Sequence, residues 1–184
     1  MKRERSNVRT YIVLLRGVMP FGKNRVPMAR LREVLGTEGF GKVRTYIQSG
    51  NALVDTGLTA MEVEKLVHDA IEKHIGPDLM VVARTGAQLQ KVLEGNPFGG
   101  GFDISRVFFV IFKDAPSVEK TRELLAEDFG AEKLAVDGTA AYMYIPGSAA
   151  RSKVSNNFLE KRLGISATTR NFNTMNKLIE MIHE

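Results

Sequence analysis

The 184-residue sequence predicts an α+β protein made of two split-βαβ, ferredoxin-like units, each followed by an extra helix. Three observations carry this. Strand-like and helix-like segments run in the order βαββαβα through the first half and again through the second. The first strand of each run, Tyr11 to Leu15 and Val107 to Phe112, is apolar throughout, as strands buried on both faces are. Each run also carries a hairpin signal, Gln48-Ser49-Gly50-Asn51 in one and Asp137-Gly138 in the other.

In the first half, Arg9 to Leu15 is rich in β-branched and aromatic residues and reads as a strand. Pro27 opens a helix to Leu35, with Met28, Leu31 and Leu35 at helical spacing. Val43 to Ile47 and Ala52 to Asp55 are the two arms of the hairpin. Thr59 to His74 places Val63, Leu66, Val67, Ala70 and Ile71 on one helical face, and Met80 to Arg84 is the fourth strand. Thr85 and Gln88 form a capping box for a helix carrying Leu89, Val92 and Leu93, which Gly95-Asn96-Pro97 ends.

In the second half, Arg106 to Phe112 is a strand, and Ser117 caps a helix that turns Val118, Thr121, Leu124 and Leu125 inward. Lys133 to Val136 and Ala140 to Ile145 form the second hairpin. Ser155 to Leu163 is a helix and Ile165 to Thr169 a strand. Thr174 to His183 is a helix capped by Asn173 or Thr174, with Met175, Leu178, Ile179 and Ile182 on one face. The order repeats without obvious residue identity. It divides the chain into a first unit at residues 1–95, a second at residues 104–184 and a linker at residues 96–103 around Gly99-Gly100-Gly101. Helices cover one face of such a sheet, so the other face must meet the second unit or another subunit; a monomer and a homodimer both satisfy this.

Composition narrows the function classes. Hydrophobic residues at 43% and charged residues at 26% describe a globular chain and exclude a disordered tail or a fibre. With no cysteine there is no disulfide framework, thiolate metal cage or cysteine nucleophile, which fits a cytoplasmic location. The opening Met1-Lys2-Arg3-Glu4-Arg5 is basic but leads into no signal-peptide core, and no apolar stretch approaches the roughly 18 residues of a membrane helix. No membrane partner is expected. His68 and His74, six apart on a helix, cannot share a metal, and His183 is near the end of the chain, so neither a metal nor a cofactor is implied.

The net charge of +5 is unevenly spread: Lys and Arg outnumber Asp and Glu by 11 to 3 in residues 1–50 and by 6 to 3 in residues 151–184, but are outnumbered 15 to 9 between. Basic ends around an acidic middle fit an anion that meets both ends, or a solvated surface with chance clustering. Four polar stretches hold no carboxylate: Arg16 to Met28, Gln48 to Asn51, Arg151 to Asn157 and Thr168 to Lys177. In a split-βαβ sheet the loop after the first strand and the central hairpin share an edge, which puts Arg16, Lys23 and Asn24 beside Gln48, Ser49 and Asn51. The same logic puts Arg151, Ser152 and Lys153 beside Arg170, Asn171 and Asn173. If the units face these edges toward each other, all four segments line one basic cleft, with Arg25 as a sixth cation.

Gly17 to Asn24 approaches the phosphate-loop pattern G-x4-G-K-[ST], but Asn24 replaces the magnesium-binding hydroxyl, Pro20 removes a loop N–H, and Pro27 starts the helix late. A weaker form keeps Gly17, Gly22 and Lys23 close to an anion without nucleotide hydrolysis; the alternative is that the glycines only turn the chain. Arg170 precedes the last helix, where its dipole favours anions, while Asn171 and Asn173 orient the ligand or simply fix the loop. Ser49 and Ser152 lack a nucleophile-elbow context and a histidine partner. An RNA-recognition-motif reading lacks the aromatic pair on Ala52 to Asp55, and Tyr142 and Tyr144 read better as core.

Taken together, Leu14-Leu15-Arg16-Gly17, Gly22-Lys23-Asn24, Val26-Pro27-Met28, Tyr46-Ile47-Gln48-Ser49-Gly50-Asn51, Arg151-Ser152-Lys153 and Arg170-Asn171-Phe172-Asn173-Thr174 resemble the bacterial family catalogued as domain of unknown function 1697 (DUF1697). The likeness spans nearly the whole chain. It implies an α+β fold with two ferredoxin-like subdomains and brings no established activity. This chain departs from the family at Met19, Phe21 and Phe172, the first two making the Gly17 to Asn24 loop bulkier and less polar. The expected function is binding of an anionic, phosphate-bearing ligand, a nucleotide or a nucleic acid. The rival expectations are an enzyme acting on a phosphorylated small molecule, with Lys23 or Ser49 reacting, and a regulatory or assembly module without a small-molecule site.

Overall fold

Alternating strand and helix patterns give, in a computed structural model describing residues 8–184, an α+β fold with two four-stranded antiparallel sheets and six α-helices. The basic opening of the chain, Met1 to Arg5, lies outside the described residues. The elements are β1 (Arg9–Leu15), α1 (Met28–Thr37), β2 (Gly41–Thr45), β3 (Asn51–Thr56), α2 (Ala60–His74), β4 (Val81–Thr85) and α3 (Gly86–Glu94), then β5 (Val107–Phe112), α4 (Val118–Leu125), β6 (Lys133–Asp137), β7 (Ala140–Tyr144), α5 (Asn156–Leu163), β8 (Ala167–Asn171) and α6 (Phe172–Glu180). One sheet has the order β2-β3-β1-β4 and the other β6-β7-β5-β8, so the second repeats the strand order of the first. The chain divides into two compact units. One runs to Leu89 and takes in Leu178–Glu184; the other is Gln90–Lys177, so the divisions fall within α3 and α6.

Each core follows from the apolar pattern. In the first unit Tyr11, Val13 and Leu15 of β1 and Ala52 and Val54 of β3 pack under Leu31 and Leu35 of α1 and Val63, Val67 and Ile71 of α2. In the second, Val110, Phe112, Ala141 and Met143 pack against Leu124, Leu159 and Leu163. Burying each such branched or aromatic side chain contributes about 1.5–3 kcal/mol. Thr85 and Gln88 make the reciprocal bonds of a capping box, Thr85 N–H to Gln88 Oε1 at 2.8 Å and Gln88 N–H to Thr85 Oγ1 at 3.3 Å. Thr59 and Glu62 do the same for α2, and Ser117 and Ser155 cap α4 and α5.

Three local expectations are corrected. Of the four residues expected inward on α4, only Leu124 is buried; Val118 is 84% and Leu125 42% exposed. At about 100° per residue, Val118, Thr121 and Leu125 share a stripe that Leu124 does not, and the helix turns Leu124 to the core. The last strand begins at Ala167, because Gly164 ends α5 in the left-handed region (φ 71°) and Ile165 and Ser166 lead out of it. The last helix begins at Phe172, and its cap is Asn171, whose Oδ1 accepts Thr174 N–H at 2.9 Å; neither Asn173 nor Thr174 caps it. The glycine-rich stretch at residues 96–103 lies inside the second unit, where Phe98 and Phe102 pack with each other and with Tyr144, ring centroids 4.8–6.2 Å apart.

Candidate functional site

The end of β1 positions the first candidate cluster. Leu15 N–H donates to Gly50 O at 2.8 Å and Arg16 N–H to Met80 O at 3.0 Å, so the chain leaves the sheet between the β2–β3 hairpin and the start of β4. Gly17 and Gly22, at φ 78° and 77°, then fold the loop back on itself. Met19 N–H donates to Asn24 O at 3.0 Å and Asn24 Nδ2 to Gly17 O at 3.3 Å. The hairpin joins in: Gln48 Nε2 donates to Val26 O at 2.6 Å, and Asn51 Nδ2 donates to Tyr46 O at 3.0 Å and to Ser49 Oγ at 3.1 Å. Gly50 packs so closely that a methyl there would lie 2.6 Å from Val18 Cγ2. Arg16, Asn24, Gln48, Ser49 and Asn51 are therefore brought to one end of the first unit.

Within that end the roles differ. The amides of Asn24, Gln48 and Asn51 are engaged by backbone carbonyls, so they build the loop and leave ligand contact to other groups. Arg16 is half-buried, whereas Lys23 and Arg25 are exposed and pair with no carboxylate among the described residues. Beside them Phe21 is 82% exposed, and Met19 and Ile47 are also exposed. Ile47 sits at φ 46°, where a β-branched residue is strained. Sequence reasoning singles out Phe21 only as making the loop bulkier and Ile47 only as part of a motif, and assigns neither to the site. For Phe21 a signal exists in its place between Pro20 and Gly22, two chain breakers that leave an aromatic ring nothing local to pack on.

In the second unit, Arg151 and Lys153 stand exposed at the bend after β7. Ser152 Oγ donates to Val154 O at 2.6 Å. The bend is free of carboxylates in sequence but not in space: Glu132 Oε2 accepts Lys153 N–H at 3.2 Å and Val154 N–H at 3.1 Å. Arg170 is only 8% exposed and donates to Thr168 Oγ1 at 2.7 Å and Thr169 O at 2.8 Å; burial pushes its guanidinium down to about 10. Asn171 is the cap of α6, and Asn173 is exposed. Tyr142 is buried and donates to Val92 O at 2.9 Å.

Among the described residues no group of three or more His, Asp or Glu side chains could hold a metal ion. His68 is bracketed by Asp78, 3.0 Å from Nε2, and Asp69, 3.2 Å from Nδ1, and both carboxylates, Asp78 first, hold its imidazole above the ordinary histidine range. No helix among the described residues is long and apolar enough to cross a membrane.

The backbone is similar to that of a solved structure described as the conserved bacterial protein SP0830 from Streptococcus pneumoniae, with 22% sequence identity and a TM-score of 0.74 over 95% of this chain and 99% of that one. At that identity the likeness establishes the fold. No curated protein matches. The family model described as "Protein of unknown function (DUF1697)" matches residues 8–142, so the chain belongs to the DUF1697 family.

Proposed function

We propose that the protein binds an anionic, phosphate-bearing ligand, a nucleotide either free or within a nucleic-acid strand, at the loop end of its first unit. The observation that carries this reading is the pair Lys23 and Arg25, exposed and without a carboxylate partner among the described residues, on a loop clamped by Asn24 and Gln48. A cation held on a fixed loop loses little conformational freedom when an anion arrives, which favours binding. Phe21 beside them offers a ring face on which a base can stack, a contact worth about 1–3 kcal/mol. Arg16, half-buried, adds charge at the same end of the unit, and Arg151 and Lys153 are further exposed cations in the second unit. We read each unit as a split-βαβ, ferredoxin-like fold arisen by duplication, on the strength of the repeated strand order, and we place the protein in the cytoplasm.

The test is fluorescence anisotropy with a labelled single-stranded oligonucleotide at about 50 mM and about 200 mM salt, beside thermal shift with a panel of mononucleotides. Lys23→Ala/Arg25→Ala should weaken binding about tenfold and lower the salt slope by about 1.4, the loss of two phosphate contacts to a single strand. A melting shift confined to one mononucleotide would assign the free ligand. Equal affinity and slope in wild type and variant, or no binding of any probe at the lower salt, would sink the proposal.

A further inference from the structure

An edge strand presents unpaired N–H and C=O groups that another strand can take up, and folded proteins block such edges. The two sheets have four edges, β2, β4, β6 and β8, and three are blocked. On β4, Glu64 of α2 accepts Ala83 N–H at 2.8 Å. On β8, Glu160 of α5 accepts Ala167 N–H at 2.8 Å while Asn156 donates to Ala167 O at 3.0 Å. On β2 the register breaks between Gly41 and Arg44, with Lys42 in the left-handed region at φ 39°. The fourth edge, β6, has no such device. It keeps unbroken register with β7 from Lys133↔Tyr144 to Asp137↔Ala140, and among the described residues no side chain bonds to its backbone.

The sequence of β6, Lys133-Leu134-Ala135-Val136-Asp137, is complementary to itself in reverse. Two copies laid antiparallel about Ala135 place each Lys133 opposite an Asp137, and each Leu134 opposite a Val136. The backbone parity agrees. The two-residue turn Gly138-Thr139 makes Asp137↔Ala140 a hydrogen-bonded pair, so Lys133, Ala135 and Asp137 turn their backbone groups toward β7 while Leu134 and Val136 turn theirs outward. In the pairing about Ala135, those outward groups meet each other. Leu134 and Val136 also share the face packed on the core beneath α4 and α5. Along that face runs an open groove of about 680 Å³, lined by Pro116, Val118, Leu125, Ala126 and Val136 with Arg122 at its rim. The stripe of α4 that missed the core lines this groove.

We propose that the protein forms a two-fold dimer by antiparallel pairing of β6 with β6 of a second copy, joining the two sheets into one of eight strands and covering Val118 and Leu125. The arrangement is isologous, so one strand supplies both halves of each charge pair.

Sedimentation velocity on the full chain from about 1 µM to about 500 µM tests it. Wild type should dimerise. Lys133→Asp and Asp137→Lys each place like charges opposite each other twice and should raise the dimer Kd about tenfold or more. The swap Lys133→Asp/Asp137→Lys should restore it, and an equimolar mixture of the two single variants should form the heterodimer. Val118→Glu, at a position 84% exposed in the single chain, should weaken the dimer without lowering the melting temperature at a concentration where wild type and variant are both monomeric. A wild type that stays monomeric throughout, leaving the edge to an extended peptide of another protein, overturns the proposal. So does a dimer that the single charge reversals and Val118→Glu leave unchanged.

Discussion

Gly50→Ala probes the joint on which the candidate site is built. Gly50 lies at φ 84°, and its carbonyl takes the N–H of Leu15 as β1 ends. A methyl there would stand 2.6 Å from Val18 Cγ2 and 2.8 Å from Leu15 Cβ. Leu15 is fully buried in the central strand and cannot retreat, so Val18 and the glycine loop must move. The left-handed conformation costs an alanine about 1–2 kcal/mol, and overpacking of this kind about 1–3 kcal/mol more. The sum, about 2–5 kcal/mol, corresponds to a fall of about 1–2.5 M in the urea midpoint at an m-value near 2 kcal/mol/M. Gly36→Ala is the control. That glycine lies in α1, and a methyl added there would have nothing within 4 Å, so the alanine should be neutral or stabilise by up to about 1 kcal/mol. Urea unfolding followed by circular dichroism reads both. If Gly50→Ala costs less than about 1 kcal/mol, the loop and the hairpin do not interlock as described and the preorganised-loop argument fails with them.

Two further outcomes follow from single side chains. Asn171→Ala removes the cap of α6 and should cost about 1 kcal/mol in thermal unfolding, while Asn173→Ala, exposed and two residues on, should stay within about 0.5 kcal/mol of wild type; the reverse order would mean the cap is misassigned. His68 has its folded-state pKa raised by Asp78 and Asp69, so its contribution is fully present below the unfolded value of about 6.5 and is lost as pH rises through the raised folded value. Because the pair is largely solvated the effect is a few tenths of a kcal/mol, read as a difference between wild type and His68→Gln at about pH 5.5 that shrinks at about pH 8.5; a pH-independent difference contradicts it.

The legible parts of this fold are those where one strong local signal had no competitor. β1 from Tyr11 on and the whole of β5 are apolar and could only be central strands, and Thr85 with Gln88 could cap nothing but α3. The meeting of the Gly17 loop with the Gln48 hairpin followed from strand order alone, before any side chain was placed. What failed depended on rotation or on competition between partners. The stripe on α4 is real, but the spacing of apolar residues does not say which part of a wide stripe faces the core. Asn171, Asn173 and Thr174 are all good caps, and the choice was made by where β8 ends. At the site, residue type identified Asn24, Gln48 and Asn51 as polar, but not that backbone carbonyls would engage their amides. Nor could a stretch free of acidic residues reveal that Glu132 comes to it from the residue just before β6.

The two units share a strand order yet differ where their first strand gives way to their first helix, and the two proposed surfaces lie at that difference. In the first unit the connection after β1 runs through Arg16 to Pro27, long enough for two left-handed glycines, an exposed ring and the exposed cations Lys23 and Arg25. In the second the connection after β5 is the short run Lys113 to Ser117, and its Ala115 and Pro116 wall the apolar groove beside β6. One frame thus carries charge at this position and the other carries apolar surface, which is the expected pattern when a scaffold is kept and its loops are specialised. The edges agree with that division. The first unit breaks the register of β2 and so refuses a further strand, while the second leaves β6 regular and self-complementary. If the proposed ligand site on the loop of the first unit and the proposed pairing of β6 in the second are both right, they draw on different residues of different units, so substitutions at Lys23 and Arg25 should leave the oligomeric state untouched, and substitutions at Lys133 and Asp137 should leave nucleotide binding untouched.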